Sequence, residues 1–189
     1  CRNRLEMLME DETLTEKQLS ELMKTHRTLE NLTRLNKSLL LLCKIENRQF
    51  TDVKSLCLNE LLLQYLDDYK EVYAYRYVQV EVHVEECFRL EMSESLAIVL
   101  LTNLLKNAFV HVTEGGVIAL SFTASSFRIS NTGDASLDKN RIFERFYQGS
   151  KKEGSTGLGL AIADSICRLQ HLNIRYYFEQ EEHCFEILK

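Results

Sequence analysis

Proline is absent from the 189 residues, and glycine is scarce: all seven, at 115, 116, 133, 149, 154, 157 and 159, share one window. Glycine supplies positive φ and close backbone approach. Unusual backbone geometry is therefore expected to be confined to that window, where a ligand is expected to be held. Long apolar runs are missing too. Those at 39–43 and 96–101 fall far short of the roughly 20 residues of a membrane helix, so no membrane contact is expected. There is no basic surplus: a net charge of −5 leaves nucleic-acid binding without its electrostatic footprint. The six cysteines, at 1, 43, 57, 87, 167 and 184, form no Cys-x-x-Cys pair and none has a histidine at zinc-ligand spacing. They are expected to be reduced thiols acting as small hydrophobes in a cytosolic protein.

What remains is 45% hydrophobic and 27% charged, a composition that can build a real core in one domain with an appendage. The opening residues "CRNRLEML", with Leu5, Leu8 and Met9, already read as helix. The chain is therefore expected to be a piece of something longer. Thr15 and Gln18 fit a capping box, with Leu14 and Leu19 as its hydrophobic staple. A long helix follows, striped by Leu19, Leu22, His26, Leu29, Leu32, Leu35, Leu39 and Leu42. The stripe is wider than a two-stranded seam and suits a four-helix bundle, completed by a second copy of the hairpin. His26 reads as a half-buried bundle histidine rather than a reactive one, since Arg27 and not a carboxylate follows it. The polar run "NRQFTDVKS" at 47–55 reads as a hinge, dividing a helical hairpin (1–50) from a second domain (51–189).

In the second domain a helix is expected over 56–72. A half-buried strand follows, with Val78, Val80, Val82 and Val84 on one face and Gln79, Glu81 and His83 on the other. A second helix spans 94–112. Asn103, Asn107 and His111 recur every fourth residue there, beside a core face of leucines, so they stack in one line. Asparagine is a mediocre helix former. Two of them in register suggest amides aimed at a polar ligand or hydrated metal. A hairpin ("VIALSF", "SFRIS") runs into "NTGD", where Asn131 ends a strand and Gly133 permits close approach. Aromatics at 143, 146 and 147 precede a glycine- and lysine-rich loop with the character of a lid. Then "GSTGLGLAI" opens a helix, where free N–H groups and the positive helix end favour an anion. A last hairpin turns near 180–182.

No Gly-Lys-Ser/Thr is present for a P-loop, and a charged loop rather than a strand precedes the glycines, against a Rossmann fingerprint. The order of motifs instead resembles the Bergerat-type ATP-binding domain of sensor histidine kinases. "NLLKNAFVH" resembles its N box, "NTG" its first glycine box, "RIFERFYQG" its F box and "GSTGLGLAI" its second glycine box; "LTRLNKSLLLLCKIENRQF" resembles the second helix of its dimerisation domain. The resemblance implies an α+β fold: half of a dimeric four-helix bundle, then a mixed sheet packed on three helices. It implies ATP and Mg²⁺ as ligands and phosphoryl transfer to histidine, with relay to an aspartate of a response regulator. It also implies a homodimer, and a cytoplasmic domain whose parent is anchored in the inner membrane.

Carried over by position, the resemblance gives Asn107 to Mg²⁺ with Asn103 in support, and His111 to phosphate or ribose. Asn131 falls to the adenine amino group, and Gly133 to the approach of the ring. Phe143 and Phe146 of the F box flank the nucleotide. Arg145, Lys151 and Lys152 lie near the phosphates, and the backbone of Gly157, Leu158, Gly159 and Leu160 binds them. Asn131 stands where the family has aspartate, at a cost of roughly 1 kcal/mol, about fivefold in affinity. Val110 stands where many relatives have lysine, Ala135 where they have a second glycine, and Ser155 where many have another. These departures feed an alternative, a non-catalytic dimerisation and docking module. A hydrolysing relative of the fold would need a glutamate base where Asn103 stands.

The phosphoacceptor motif H-E-x-x-T-P is not in the sequence, and the resemblance implies that its place falls before Cys1. The chain is expected to bind ATP without phosphorylating itself. Incubation with γ-labelled ATP should leave no acid-labile label; a label lost in His26→Ala would overturn this.

Overall fold

The computed structural model describes residues 2–11, 13–149 and 156–189. It opens with α1 (Arg2–Met9) packed on α2 (Glu16–Glu46). The capping box forms: the Gln18 N–H donates to Thr15 Oγ1 and the Thr15 N–H to Gln18 Oε1. Across the hairpin His26 Nε2 lies 3.4 Å from Glu6 Oε1. The far end of α2 differs in character, because Leu42 and Ile45 are fully buried in the main core.

Next come β1 (Val53–Cys57), α3 (Leu58–Val72), a 3₁₀ turn at Ala74–Arg76, β2 (Gln79–Val84), β3 (Arg89–Ser93) and α4 (Glu94–His111). The hairpin β4 (Val117–Phe122) and β5 (Ser126–Thr132) follows, then α5 (Gly159–Leu169), β6 (Asn173–Glu179) and β7 (Glu182–Leu188). The main sheet has the order β2-β4-β5-β7-β6; β2 and β4 run parallel and the other pairs antiparallel. Alternation along β4 and β5 sends Ile118, Leu120, Phe122, Phe127 and Ile129 inward, as a half-buried sheet requires. They meet Leu100, Leu101, Leu104 and Leu105 of α4, Ile162 and Ile166 of α5, and Leu58, Leu62 and Leu66 of α3 in one core. The expected mixed sheet on three helices is what forms.

Four expectations give way. Unusual backbone geometry is not confined to the glycine window, since Arg48, Tyr77, His171, Gln180 and Glu181 all take positive φ outside it. Residues 53–57 are not part of a polar hinge: they form β1, paired antiparallel with β3 in a separate two-stranded sheet, and the following helix starts at Leu58. The partner lies far along the chain, so no local pattern announces it. Val82 and Val84 are 41% and 44% exposed, on a strand at the edge of the sheet where burial is least. Cys57 and Cys87 are not separate thiols but a disulfide, at the point where β1 meets α3. Cys167 and Cys184 fit the expectation: burial pushes their thiols up to about 12 and about 11.

One contact fixes α4 without any motif to predict it. The Arg76 guanidinium donates to the carbonyl oxygens of Phe109 and Val110, both at 2.8 Å, and of Val112 at 2.6 Å. A cation on the last carbonyls of a helix satisfies groups that lack intrahelical partners.

Truncation at the centre of this core should show its weight. Leu104→Ala is expected to lower unfolding free energy by about 3 kcal/mol. Val82→Thr, on the exposed edge, should stay within about 0.5 kcal/mol. Urea titration of the two variants checks the contrast, and equal shifts would contradict it.

Candidate functional site

A cavity of about 780 Å³ opens beside α4, a size suited to a small ligand. The leucine face of α4 turns to the core, so its polar line turns away from it: Asn103, Asn107 and His111 all stand in the cavity wall. The end of β5 supplies Asn131 and Gly133. The start of α5 supplies Gly157, Gly159 and Leu160. These eight are the sequence-predicted residues that the fold brings together.

The end of α4 is knotted to β5. Thr113 N–H donates to the Thr132 carbonyl at 3.2 Å, the two threonine hydroxyls meet at 2.9 Å, and Val117 N–H donates to Thr132 Oγ1 at 3.2 Å. Gly116 makes this possible, since a Cβ there would lie 2.0 Å from Thr132 Oγ1. The neighbouring Asn131 is 1% exposed. Its Nδ2 donates to the Thr132 carbonyl at 3.2 Å, and its Oδ1 is buried with no hydrogen-bond partner. Buried acceptors are ordinarily satisfied, so this oxygen awaits a donor. Rotating the amide would set Oδ1 against the Thr132 oxygen, acceptor against acceptor.

Gly157 has φ +67°, and a Cβ on it would lie 2.7 Å from the Phe146 carbonyl carbon. Conformation and space both demand glycine. Its carbonyl accepts the Phe146 N–H at 2.9 Å. Helix α5 then begins with no side-chain cap, leaving its first N–H groups for an anion. Asn103 braces this start: its Nδ2 donates to the Val99 carbonyl at 2.8 Å, and its Oδ1 would lie 2.9 Å from a Cβ on Gly159.

The F-box residues stand elsewhere. Arg145 is ion-paired with Glu46 of α2 and lines a second cleft of about 580 Å³, as does Phe143. The carboxylate at the end of α2 holds that guanidinium away from the cavity of α4. Phe143 meets Phe185 edge-on, with centroids 6.4 Å apart, so it backs the cavity wall rather than forming it. Phe146 is 56% exposed, and Leu158 is buried in the core. Lys151 and Lys152 lie outside the described residues.

The wall also holds residues that motif reading passed over: Arg34 and Ser38 of α2, Lys106, Tyr147, His183 and Phe185. Desolvation and then the nearby Arg34 charge push Lys106 below the usual lysine range. His183 had a legible signal, because His183, Phe185 and Ile187 alternate along β7 and share its inward face. Among the described residues no cluster of three or more His, Cys, Asp or Glu could hold a metal. The amide oxygens of Asn103 and Asn107 remain. They fit Mg²⁺, which binds through one or two protein oxygens plus ligand phosphates and water.

His183 gives the domain a pH dependence. Burial lowers its pKa below 6.5, with Asp134 pulling weakly the other way. The unfolded chain then binds more protons, so stability falls as pH drops below 6.5 and through the folded-state value. His183→Gln should lose less stability than the parent over that range in urea titrations. Identical pH profiles would refute this.

Residues 92–187 match the family described as histidine kinase-, DNA gyrase B-, and HSP90-like ATPase. The heme sensor protein HssS of Staphylococcus aureus is 43% identical over 82 residues, 40% of this chain; the match spans 18% of that protein. Full-length ShkA, solved in complex with AMPPNP, aligns with all of this chain and 43% of its own at TM-score 0.75 and 21% identity. Histidine kinase ThkA, solved with the response regulator protein TrrA, aligns with 99% of this chain and 55% of its own at TM-score 0.67 and 21% identity. These two likenesses are of fold. With just over half of its residues inside the family match, the chain belongs to the histidine kinase-, DNA gyrase B- and HSP90-like ATPase family.

Proposed function

We propose that residues 51–189 bind Mg–ATP and pass its γ-phosphoryl group to a histidine on a dimerisation helix, for relay to an aspartate of a response regulator. The observation that carries this is the meeting, in one cavity, of the α4 amide line, the unpartnered Asn131 Oδ1 and the uncapped glycine start of α5. Asn131 Oδ1 accepts the adenine amino group. His111 and Lys106 lie along the path of the ribose and phosphates. The N–H groups from Gly157 to Leu160 receive phosphate oxygens, and Asn107, braced by Asn103, holds the metal. Bound there, Mg²⁺ supplies charge neutralisation for in-line displacement, while the protein contributes position.

Residues 1–50 serve as half of a four-helix bundle completed by a second copy. The likeness to ThkA solved with TrrA supports a response-regulator partner. Among the described residues no helix is long and apolar enough to cross a membrane. One observation favours the docking-module reading instead: Val110 stands in the cavity wall at the position where many relatives have lysine.

Titration with a non-hydrolysable ATP analogue in Mg²⁺ tests the proposal. The parent chain should bind. Asn107→Ala should weaken the Mg²⁺-dependent affinity by at least about fivefold. Gly157→Ala should weaken it further, through strain at positive φ. No binding by the parent at millimolar analogue would leave the docking module as the better reading.

A further inference from the structure

The base end of the cavity holds a side chain that the motifs do not cover. Asn131 of β5 stands directly opposite His183 of β7, so the two side chains are cross-strand neighbours on one face. Both line the cavity. The Cδ2–Nε2 edge of the imidazole passes so close to Gly133 that a Cβ there would lie 2.3 Å from both atoms. This glycine is therefore required by His183 as well as by any ligand.

The ring's tautomer follows from its other neighbour. Leu137 N–H donates to the Tyr176 hydroxyl oxygen at 3.0 Å, and that oxygen lies 2.9 Å from His183 Nδ1. Among the described residues the Tyr176 proton has one acceptor in reach, Nδ1. If Nδ1 carried a proton instead, the hydroxyl would accept twice and its own hydrogen would be stranded. Tyr176 therefore donates, Nδ1 accepts, and the ring proton sits on Nε2. Phe178 packs at 5.0 Å between ring centroids, which keeps the imidazole from turning over.

We propose that His183 Nε2–H is a second base-reading group beside Asn131 Oδ1, and that Tyr176 is the positioning residue that fixes it as a donor. This deepens the nucleotide reading and rests on it. An acceptor next to a donor matches the edge of adenine, where the amino group donates and ring N1 accepts. It opposes the edge of guanine or hypoxanthine, where O6 accepts and N1–H donates. To suit the second edge, the Asn131 amide would have to give up the Thr132 carbonyl, and His183 would have to give up the Tyr176 proton. Burial, which keeps the imidazole neutral, supports the fixed tautomer.

Competition binding with ATP, 1-deaza-ATP (ring N1 replaced by C–H) and purine riboside triphosphate (no amino group) tests this on the full chain. The parent should prefer ATP to each analogue by about fivefold. His183→Leu should bind ATP and 1-deaza-ATP alike while keeping its preference for ATP over purine riboside triphosphate. Tyr176→Phe should narrow the 1-deaza-ATP ratio, and His183→Gln, which restores a donor, should recover part of it. These ratios compare ligands within one variant, so a partly unfolded preparation does not alter them. An unchanged 1-deaza-ATP ratio in His183→Leu and in Tyr176→Phe overturns the proposal while leaving the nucleotide site intact. Failure of the parent to bind any triphosphate would overturn the nucleotide reading itself.

Discussion

Helix α4 is constrained on both faces at once, and the site depends on that. Its leucines are locked among the sheet, α3 and α5, so its rotation about its own axis is set by packing. Interiors as dense as crystals tolerate little rotation of such a helix. The same rotation fixes where Asn103, Asn107 and His111 point. Arg76 on the terminal carbonyls and the Thr113–Thr132 knot then fix where the helix stops. The polar line is thus aimed by apolar contacts on the opposite side of the helix.

The second fixed point is the end of the β5–β7 ladder. Thr132 ties it to α4, and Asn131 and His183 face each other across it. The Thr132 carbonyl takes both the Thr113 N–H and the Asn131 amide hydrogen. One backbone oxygen therefore sets the distance from helix to sheet and the orientation of the Asn131 amide. This explains how asparagine can stand where the resemblance to the first glycine box would put aspartate. Its donor half is consumed by the backbone, and the half left without a partner is an acceptor, as a carboxylate would be. The lost charge remains a cost, but the pattern of donors and acceptors survives.

What the sequence disclosed, and what it withheld, divide along sequence separation. The capping box of α2, the spacing of Asn103, Asn107 and His111, and the alternation in β4 are written within a few residues, and each was legible. The pairing of β1 with β3, the Cys57–Cys87 bridge, Arg76 on α4 and Glu46 on Arg145 join residues far apart. Nothing local marks either partner. Arg145 shows the consequence. Its place in a motif implied phosphate, yet a carboxylate from another element holds it in a different cleft. His183 is the intermediate case: its inward parity on β7 was readable, but its partner Tyr176 emerges only from the β6–β7 pairing.

The placement of α2 carries the last consequence. Arg34 and Ser38 stand in the wall of the α4 cavity, while Glu46, near the other end of the same stretch, holds Arg145 in the second cleft. Between them Leu42 and Ile45 are sunk in the core. The helix that completes the hairpin is therefore also a wall of the cavity. Any displacement of α2 that withdraws Arg34 removes a positive charge from beside Lys106 and changes the field in which an anion would sit. By linkage, a ligand that binds differently to the two arrangements must shift the balance between them by the same free energy. The hairpin and the cavity thus share residues, so the position of one bears on the other without any longer path between them.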